Sequence, residues 1–254
     1  MEYSEIINKL NERKQRKMKE RNIIIHQPCF FPYIGNFHKF SMADVFVIMD
    51  ETQYDQRFTN RNKIINPNGG SGWDWLTIPI KKGHKFLPNN KVEINNEIDW
   101  QEEHWKKILF VYKNAEKFDY IKEFLLTTYT KKWDSLFELD FETMKKTLEL
   151  LEIKLEVVKE SELDISTKST NRLVDICKKV EGTTYISGNG ARSYIDNTLF
   201  KKQNIELLFQ NYLPKEYKQI SSEKFIPNLS IIDLLANFGS DSKKFVKEEF
   251  LNYN

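Results

Sequence analysis

Two histidines, two prolines and a glycine lie within the stretch HQPCFFPYIGNFHKF, at positions 26–40. His26 directly follows an apolar run of three isoleucines, and His38 lies three residues after Gly35. Because imidazole titrates near neutral pH, either histidine can take up a proton as a general base. The prolines fix the backbone and remove two N–H donors, which stiffens the loop. We predict a binding or catalytic loop with His38 as catalytic base and His26 as the competing candidate; a hydrogen-bonded structural role is the alternative for both.

The helix predicted to begin after this loop offers a site for an anion. Gly35 lies at or near its amino end, where backbone N–H groups and the helix dipole favour negative charge. The neighbouring polar side chains Gln27 and Tyr33 are therefore predicted to bind substrate together with Gly35. The phenylalanines of the stretch are explained more simply by core packing.

A second polar stretch, DETQYDQRFTNRNKI at positions 50–64, begins where a buried strand is predicted to end. Its carboxylate, amide and guanidinium groups suggest a loop that cradles a phosphate or a sugar, with the cations as anion ligands. An exposed loop with solvated charges is the alternative. The residues predicted to bind substrate here are Asp50, Gln53, Arg57, Asn60, Arg61, Asn62 and Lys63.

A third stretch, YISGNGARSYID at positions 185–196, combines a strand with a glycine-bearing turn. Gly188 and Gly190 can supply a left-handed turn or a close approach of the backbone to a ligand. Ser187 and Arg192 join them as predicted substrate-binding residues, with Arg192 at the start of the next helix, a position suited to phosphate. The sequence has no Walker, dinucleotide-binding, zinc-protease or serine-hydrolase motif, so we predict neither a metal site nor a serine nucleophile.

Strand-like apolar runs alternate with amphipathic segments along the chain, which predicts an α/β fold with a mainly parallel sheet flanked by helices. Strands are predicted at NIIIH, DVFVIMD, WDWLTIPI, KVEIN, KLEVVKES, TTYISG and IELLFQ. We expect a peripheral helix in residues 1–21 and a single α/β domain in residues 22–254, with a helical insertion or subdomain at about 101–150. Because ligands bind beyond the carboxyl ends of parallel strands, all three polar stretches are expected to converge on one pocket.

The composition excludes several classes of protein. With 254 residues and 40% hydrophobic content, the chain can bury a substantial core. A net charge of +2 gives no basic excess, so binding of nucleic acid is not expected. The two isolated cysteines form neither a disulfide framework nor a zinc site. The amino-terminal residues are too charged for a signal peptide and no run is long enough to span a bilayer, so we expect a cytoplasmic protein without membrane association.

Taken in order, four segments resemble the WbqC-like protein family: residues 23–64, WLTIPI, YISGNGARSYID and FIPNLSIIDLLANFG. The Gln-Pro after the first strand, the Pro-Tyr-Ile-Gly turn and the Arg-Asn-Lys-Ile run carry the resemblance together. His26 departs from the apolar residue or methionine common in the family, and the amino-terminal helix is an addition.

The resemblance implies a role in the biosynthesis of bacterial O-antigen lipopolysaccharide and related surface polysaccharides. Members of the family have been proposed to attach an amino acid, glycine in particular, to an amino sugar. The implied substrates are a nucleotide-linked amino sugar and an amino-acid donor. The cofactor is unknown; ATP or an aminoacyl-tRNA could supply the activated carboxyl group.

Two other functions stay open at the level of sequence. The strand, proline-bearing loop and helix start with Gly35 and His38 are loosely similar to nucleotide-binding transferases, so a nucleotidyltransferase of the same pathway is one alternative. A non-catalytic protein that binds nucleotide sugars is the other. Release of pyrophosphate without an amine substrate identifies the first, and tight binding without turnover identifies the second.

Overall fold

A computed structural model describes residues 20–247 of the chain, so the helix predicted for residues 1–21 lies almost entirely outside the described residues. The described part contains a five-stranded sheet in which all paired strands are parallel. Its strands are β1 (Asn22–His26), β2 (Val45–Ile48), β5 (Glu156–Lys159), β6 (Thr184–Gly188) and β7 (Glu206–Gln210), in the spatial order β5-β2-β1-β6-β7. The predicted α/β class with a mainly parallel sheet is confirmed.

Two apolar clusters lie on opposite faces of this sheet. Ile24 and Phe46 belong to the larger cluster, whereas Ile23 and Val45 belong to the smaller one. Successive residues of a strand point to opposite faces, and a sheet covered on both faces needs apolar residues on both. The uninterrupted apolar runs of β1 and β2 therefore specify the centre of the sheet.

Helices flank the sheet and build a further helical layer. The α-helices are α1 (Ile34–Phe40), α2 (Trp100–Tyr112), α3 (Phe118–Thr130), α4 (Leu136–Leu150), α5 (Ser169–Lys179), α6 (Asn197–Lys202), α7 (Ile231–Phe238) and α8 (Lys243–Val246). Short 3₁₀ helices occupy His84–Phe86, Asn89–Lys91, Glu160–Glu162, Asn189–Ala191 and Gly239–Ser242. Asp99 and Ser135 cap α2 and α4 by accepting backbone N–H groups of the first turn, which defines where these helices begin. The region predicted as helical at about 101–150 contains α2, α3 and α4.

Three local predictions differ from the structure. The run RNKII, predicted as part of a loop, is strand β3 (Arg61–Ile65), which pairs antiparallel with β4 (Trp73–Thr77) in a separate two-stranded sheet. It forms a strand because Asn62 and Ile64 point inward while Arg61 and Lys63 alternate with them. The segment KVEIN, predicted as a strand, makes only isolated bridges to two different segments. Arg192 does not begin a helix, because the Asp196 side chain caps Thr198 and α6 therefore begins at Asn197.

The order of strands reverses between β1 and β6. The connection from β1 to β2 carries α1, whose Phe37 and Phe40 pack in the larger cluster, whereas the connection from β6 to β7 carries α6, whose Phe200 packs in the smaller one. The two connections thus leave to opposite faces, and the carboxyl ends of β1 and β6 are the switch point of the sheet. Such switch points are where parallel α/β proteins bind ligands. Within residues 20–247, no helix combines the length and apolar character needed to cross a membrane.

Candidate functional site

The loop after β1 is held in place by side chains from distant parts of the chain. Phe31 is buried and has a φ of 39°, in the left-handed region that costs energy for a bulky residue. Its carbonyl oxygen accepts hydrogen bonds from Asn62 Nδ2 at 2.7 Å and from Ser230 Oγ at 3.0 Å. Asn62 was predicted to bind substrate. In the structure its side-chain amide instead donates to the loop and fixes the loop's conformation.

His38 lies on α1 and is buried against the end of β7. Its Nδ1 lies 2.8 Å from Gln210 Nε2, which also donates to the Gly35 carbonyl oxygen at 2.8 Å. An amide nitrogen can only donate, so Nδ1 is the acceptor and the neutral ring carries its proton on Nε2. In this arrangement the Nδ1 lone pair of His38 accepts the hydrogen bond from Gln210, so it does not take a proton from a substrate.

His26 has the opposite tautomer. Its Nδ1 lies 2.7 Å from the Gln27 carbonyl oxygen, which can only accept, so the proton is on Nδ1 and the lone pair is on Nε2. The ring is half-buried at the end of β1 and packs edge-on against Phe40. Burial, together with the charge of Lys39, lowers the pKa of His26 to about 3. His26 is therefore uncharged at pH 7, with Nε2 able to accept a hydrogen bond or a proton.

Lys39 and Cys29 complete the polar surroundings of His26. Lys39 is 4% exposed, and among residues 20–247 its ammonium group forms no ion pair with a carboxylate. Burial lowers the pKa of Lys39 to about 8. The Cys29 sulfur lies 3.8 Å from His26 Nδ1, and burial raises the pKa of this thiol. Because His26 Nδ1 carries a proton, it does not activate the thiol as a nucleophile.

Aromatic rings form one wall at the start of α1. Tyr33 and Tyr212 meet edge to face with ring centroids 6.2 Å apart, and His38 lies 5.3 Å from the Tyr212 ring. A Cβ atom on Gly35 would lie 2.4 Å from the Tyr33 ring and 2.7 Å from the Tyr212 ring. Gly35 is therefore required for the close approach of these rings.

The loop after β6 is open. Gly188 and Gly190 both lack a positive φ, so they do not form the left-handed turn that was one of two roles predicted for them. A Cβ on either would meet no atom within 4 Å, so the other predicted role, a close approach of the backbone to a ligand, stays a prediction. Ser187 is buried in β6. Arg192 is exposed, stacks over the Phe209 ring at 4.5 Å and donates from Nε to Asn189 Oδ1 at 3.0 Å. Its remaining guanidinium nitrogens make no other hydrogen bond within the described residues, so they can bind an anion at this edge of the sheet.

The stretch at 50–60 divides into buried structural groups and exposed ones. Asp50 is buried and accepts from the Ser161 backbone N–H at 3.0 Å, which joins the ends of β2 and β5. Asn60 is buried and donates to the Ile78 carbonyl oxygen at 2.7 Å. Gln53 and Arg57 are exposed, and Arg57 pairs with Asp55 at 2.6 Å. The guanidinium predicted to hold phosphate is thus engaged by a neighbouring carboxylate.

Arg61 and Lys63 lie on the half-exposed face of the β3–β4 hairpin. The Arg61 guanidinium stacks over Trp75 at 4.3 Å, and the Lys63 ammonium lies over Trp73 at 3.9 Å. Cation–π contacts of this kind hold the cations along the hairpin surface. These two residues therefore form a cationic surface on the hairpin, backed by tryptophan rings.

Hydrogen bonds connect the three predicted loops in part. The Phe30 N–H donates to the Thr59 carbonyl oxygen at 3.1 Å, which joins the first loop to the second. Gln210 pairs with Gly188 in the sheet and bonds to His38, which joins the first loop to the third. Arg57, Arg61 and Lys63 are exposed or half-exposed, whereas His26, Gln27, Gly35 and His38 lie at the carboxyl end of β1, in the loop after it and on α1.

The sequence prediction missed Lys39, Cys29 and Gln210. Gln210 ends a predicted parallel strand, so the rule that ligands bind at carboxyl ends could have identified it. Lys39 and Cys29 gave no such signal, because a lysine next to a histidine is usually exposed and a lone cysteine usually packs in a core. Within the part of the chain that the structure describes, no group of histidine, cysteine and carboxylate side chains is arranged to hold a metal ion.

Comparison with known proteins identifies the family. The model of the WbqC-like protein family matches residues 27–245. A curated relative, the uncharacterized protein Rv1507c of Mycobacterium tuberculosis (strain ATCC 25618 / H37Rv), is 28% identical over 230 residues, which cover 89% of this chain and 98% of the relative. No solved structure matches the chain. Because the matched range spans most of the sequence, from the first loop to α8, the chain belongs to the WbqC-like protein family.

Proposed function

We propose that the protein is a transferase that forms an amide between an amino acid, with glycine as the suspected donor, and the amino group of a nucleotide-linked amino sugar. The pathway is the biosynthesis of a bacterial surface polysaccharide. One observation carries the proposal. Within residues 20–247, the buried Lys39 forms no ion pair with a carboxylate, and its charge acts on His26 at the switch point of a parallel sheet. His26 is neutral, and its contact with Gln27 leaves the Nε2 lone pair unused.

Amide formation needs two functions that these side chains can perform. His26 Nε2 takes a proton from the sugar ammonium group, which frees the nitrogen lone pair to attack the activated carboxyl carbon. The tetrahedral intermediate carries a negative charge on oxygen, which Lys39 stabilises before the leaving group departs with the carbonyl bond restored. After the attack the nitrogen carries a second proton that it must also lose as the leaving group departs. The first proton passes from His26 to water, and the second goes to the leaving group or, through His26, to water.

The low pKa of His26 links the two functions. Burial and the Lys39 charge keep the ring neutral, so it starts in the form that accepts a proton. A negatively charged substrate on Lys39 offsets that charge and raises the pKa of His26. The histidine therefore becomes a stronger base when the carboxyl donor is in place.

The nucleotide part of the acceptor is proposed to lie along the aromatic wall at the start of α1. Tyr33 and Tyr212 offer aromatic surfaces for a base or a sugar, and Arg192 offers a guanidinium for a phosphate. Gln210 and His38 form a hydrogen-bonded unit that fixes α1 against β7. Because the Nδ1 lone pair of His38 accepts from Gln210, we assign His38 to positioning the start of α1 at the site rather than to taking the proton.

The test is a direct search for the product. Purified protein is incubated with glycine and ATP, or with glycyl-tRNA, and with nucleotide sugars that carry a free amino group. Mass spectrometry should detect a sugar nucleotide with one added glycyl group. The matched control is the same nucleotide sugar with its amine acetylated, which should give no product.

Two other results would replace this proposal. Release of pyrophosphate with the acetylated sugar when glycine is left out would identify a nucleotidyltransferase, because no carboxyl group is then present for ATP to activate. Binding of the nucleotide sugar with no turnover from any carboxyl donor would identify a binding or assembly protein.

A further inference from the structure

A cavity of about 420 Å³ lies beyond the carboxyl ends of β2 and β5. Glu51, three residues after β2, lines it together with residues 165–168, which connect β5 to α5. Because β2 pairs in parallel with both β1 and β5, the cavity is on the edge of the sheet that also carries His26. The proposed amide formation uses none of the side chains that line this cavity.

Hydrogen bonds fix the segments that form its walls. The Asn90 backbone N–H donates to the Asp50 carbonyl oxygen at 2.9 Å, and the Ser161 backbone N–H donates to Asp50 Oδ1 at 3.0 Å. Thr167 Oγ1 donates to Asp175 Oδ2 at 2.9 Å, which ties the segment before α5 to that helix. The walls are therefore held together by contacts between separate parts of the chain.

A buried carboxylate orients Arg172, which lines the cavity from α5. Arg172 Nε donates to Glu160 Oε1, and the Glu160 side chain is 0% exposed. Within residues 20–247, Arg172 Nη1 and Nη2 make no hydrogen bond. The ion pair thus holds the guanidinium in place and leaves two of its nitrogens unused. A guanidinium held in this way binds the oxygens of a phosphate or a carboxylate through paired N–H donors.

Two lysines line the same cavity. Lys91 and Lys168 are exposed, and in the described part of the chain neither forms an ion pair with a carboxylate. Glu51 is the one acidic side chain among the described lining residues. Even when Glu160 is counted against Arg172, the two lysines outnumber the carboxylate. The cationic part of the lining therefore favours an anion, and a phosphate group matches several converging cations.

Acceptors without donors supply the rest of the polar lining. Asn90 Oδ1 is buried and has no hydrogen-bond partner within residues 20–247. An amide oxygen and the carboxylate of Glu51 can only accept hydrogen bonds, so the ligand must donate to them. Pro88 and Ile165 add apolar surface. Hydroxyl donors on an otherwise apolar ring face are what a sugar offers.

We propose that this cavity binds a phosphorylated sugar, with its phosphate on Arg172, Lys168 and Lys91 and its hydroxyl groups on Glu51 and Asn90. The size agrees, because small-molecule sites enclose roughly 300–1,000 Å³. The inference goes beyond the proposed function, since it concerns none of the residues assigned to amide formation. The ribose phosphate of a nucleotide and a free sugar phosphate share this chemistry.

The experiment measures ligand binding to the full chain by isothermal titration calorimetry. The probes are ribose 5-phosphate and AMP, with ribose, inorganic phosphate and glycine as comparison compounds. The variants in the cavity are Arg172→Lys, which keeps a charge beside Glu160 but removes the planar fork, Lys168→Gln and Glu51→Gln. The matched controls are Lys145→Gln and Glu142→Gln, at exposed positions of α4 that do not line the cavity.

The wild-type protein should bind ribose 5-phosphate or AMP saturably, and more tightly than either ribose or inorganic phosphate. Arg172→Lys should weaken this binding about tenfold or more, and Lys168→Gln and Glu51→Gln about threefold or more each. The two controls on α4 should bind as wild type does. AMP binding at least about tenfold tighter than ribose 5-phosphate assigns the site to a nucleotide, and equal affinities assign it to a sugar phosphate.

Three results would overturn the proposal. The first is no saturable binding of either phosphate compound by wild type. The second is binding that all three cavity variants leave unchanged, because the ligand then lies elsewhere on the protein. The third is binding of inorganic phosphate or glycine as tight as that of ribose 5-phosphate, which removes the sugar. If Arg172→Lys does not fold, the variants at the exposed positions Lys168 and Glu51 decide by the same comparison.

Discussion

At the scale of single residues, the hydrogen bonds of the two histidines assign them different chemistry. Gln210 can only donate to His38 Nδ1, whereas the Gln27 carbonyl can only accept from His26 Nδ1. Sequence spacing favoured His38 because it lies on the first turns of α1. The tautomers favour His26 as the base, since only its Nε2 keeps a lone pair.

Replacing each histidine by glutamine separates these roles. We expect His26→Gln to lower turnover by about 10²-fold or more, the usual contribution of a general base, with little change in nucleotide-sugar binding. His38→Gln keeps an acceptor for Gln210 and should lower turnover much less. Steady-state kinetics on both variants provides the comparison. The opposite order of effects, with both proteins folded, contradicts the assignment.

Lys39 provides a second test, because a buried charge kept for function should cost stability. Its pKa falls from 10.5 to about 8 on folding, so the unfolded chain binds the proton more tightly. The loss of folding stability caused by burying the charged Lys39 is fully present below pH 8, and it disappears as the pH rises to 10.5. Lys39→Met should therefore raise the free energy of unfolding at pH 7 by about 3 kcal/mol and abolish turnover.

Urea unfolding at pH 7 and at pH 10 measures this effect. The difference in the free energy of unfolding between Lys39→Met and wild type should be smaller at pH 10 than at pH 7. Lys82→Met, at an exposed lysine, is the control and should change neither stability nor turnover appreciably. A variant at Lys39 that is less stable than wild type and fully active would contradict a functional role for this charge.

At the scale of elements, the loop after β1 depends on β3 and α7 for its shape. Phe31 adopts a costly left-handed conformation, and Asn62 from β3 and Ser230 before α7 hold its carbonyl group. The loop thus stores strain that its neighbours offset. The polar run at 50–64 therefore has a structural role, because Asn62 from this run holds the loop after β1 in its conformation.

Asn62→Ala removes one of these anchors. We expect a loss of about 1–3 kcal/mol in the free energy of unfolding, because a buried carbonyl loses its amide donor. Turnover should fall as well, since the position of His26 depends on the same loop. Denaturant unfolding and kinetics measure both effects, with Asn68→Ala at an exposed turn residue as control. Unchanged stability and turnover would show that the loop holds its shape without Asn62.

At the scale of the whole molecule, the parallel sheet and its switch point follow from apolar runs that alternate with helical segments. The strands NIIIH and VFVI, the helices within 101–150 and the carboxyl-end location of both His26 and Gly188 could be predicted in this way. The hairpin β3–β4 could not be predicted from the sequence, because the polar Asn62 occupies an inward-facing position of β3. Asn62 is buried there because its side chain donates hydrogen bonds to the Phe30 and Phe31 carbonyl oxygens. The burial of Lys39 was equally unpredictable, since it arises from packing between segments far apart in sequence.

The pH dependence of global stability gives a further prediction. Burial raises the pKa of Asp233 from 3.8 to about 6, although Tyr217 and Gln219 donate hydrogen bonds to it. The folded protein therefore binds this proton more tightly than the unfolded chain does. The stabilising contribution is present below about pH 4 and is lost as pH rises through 6.

Asp233→Asn removes this titration and keeps an oxygen that accepts the same hydrogen bonds. Relative to wild type, its free energy of unfolding should increase by about 2–3 kcal/mol between pH 4 and pH 7. Calorimetric unfolding across this range measures the difference. Parallel stability curves for the two proteins would show that Asp233 titrates near its ordinary value.

The central claim is that His26 takes a proton during amide formation on an amino sugar. The most direct measurement follows isotope-labelled glycine by mass spectrometry into a nucleotide-linked amino sugar, with wild type and His26→Gln compared under the same conditions. We expect a labelled, amide-linked product with wild type and a rate at least about 10²-fold lower with the variant. No labelled product from wild type with any activated donor, or equal rates for both proteins, would contradict it.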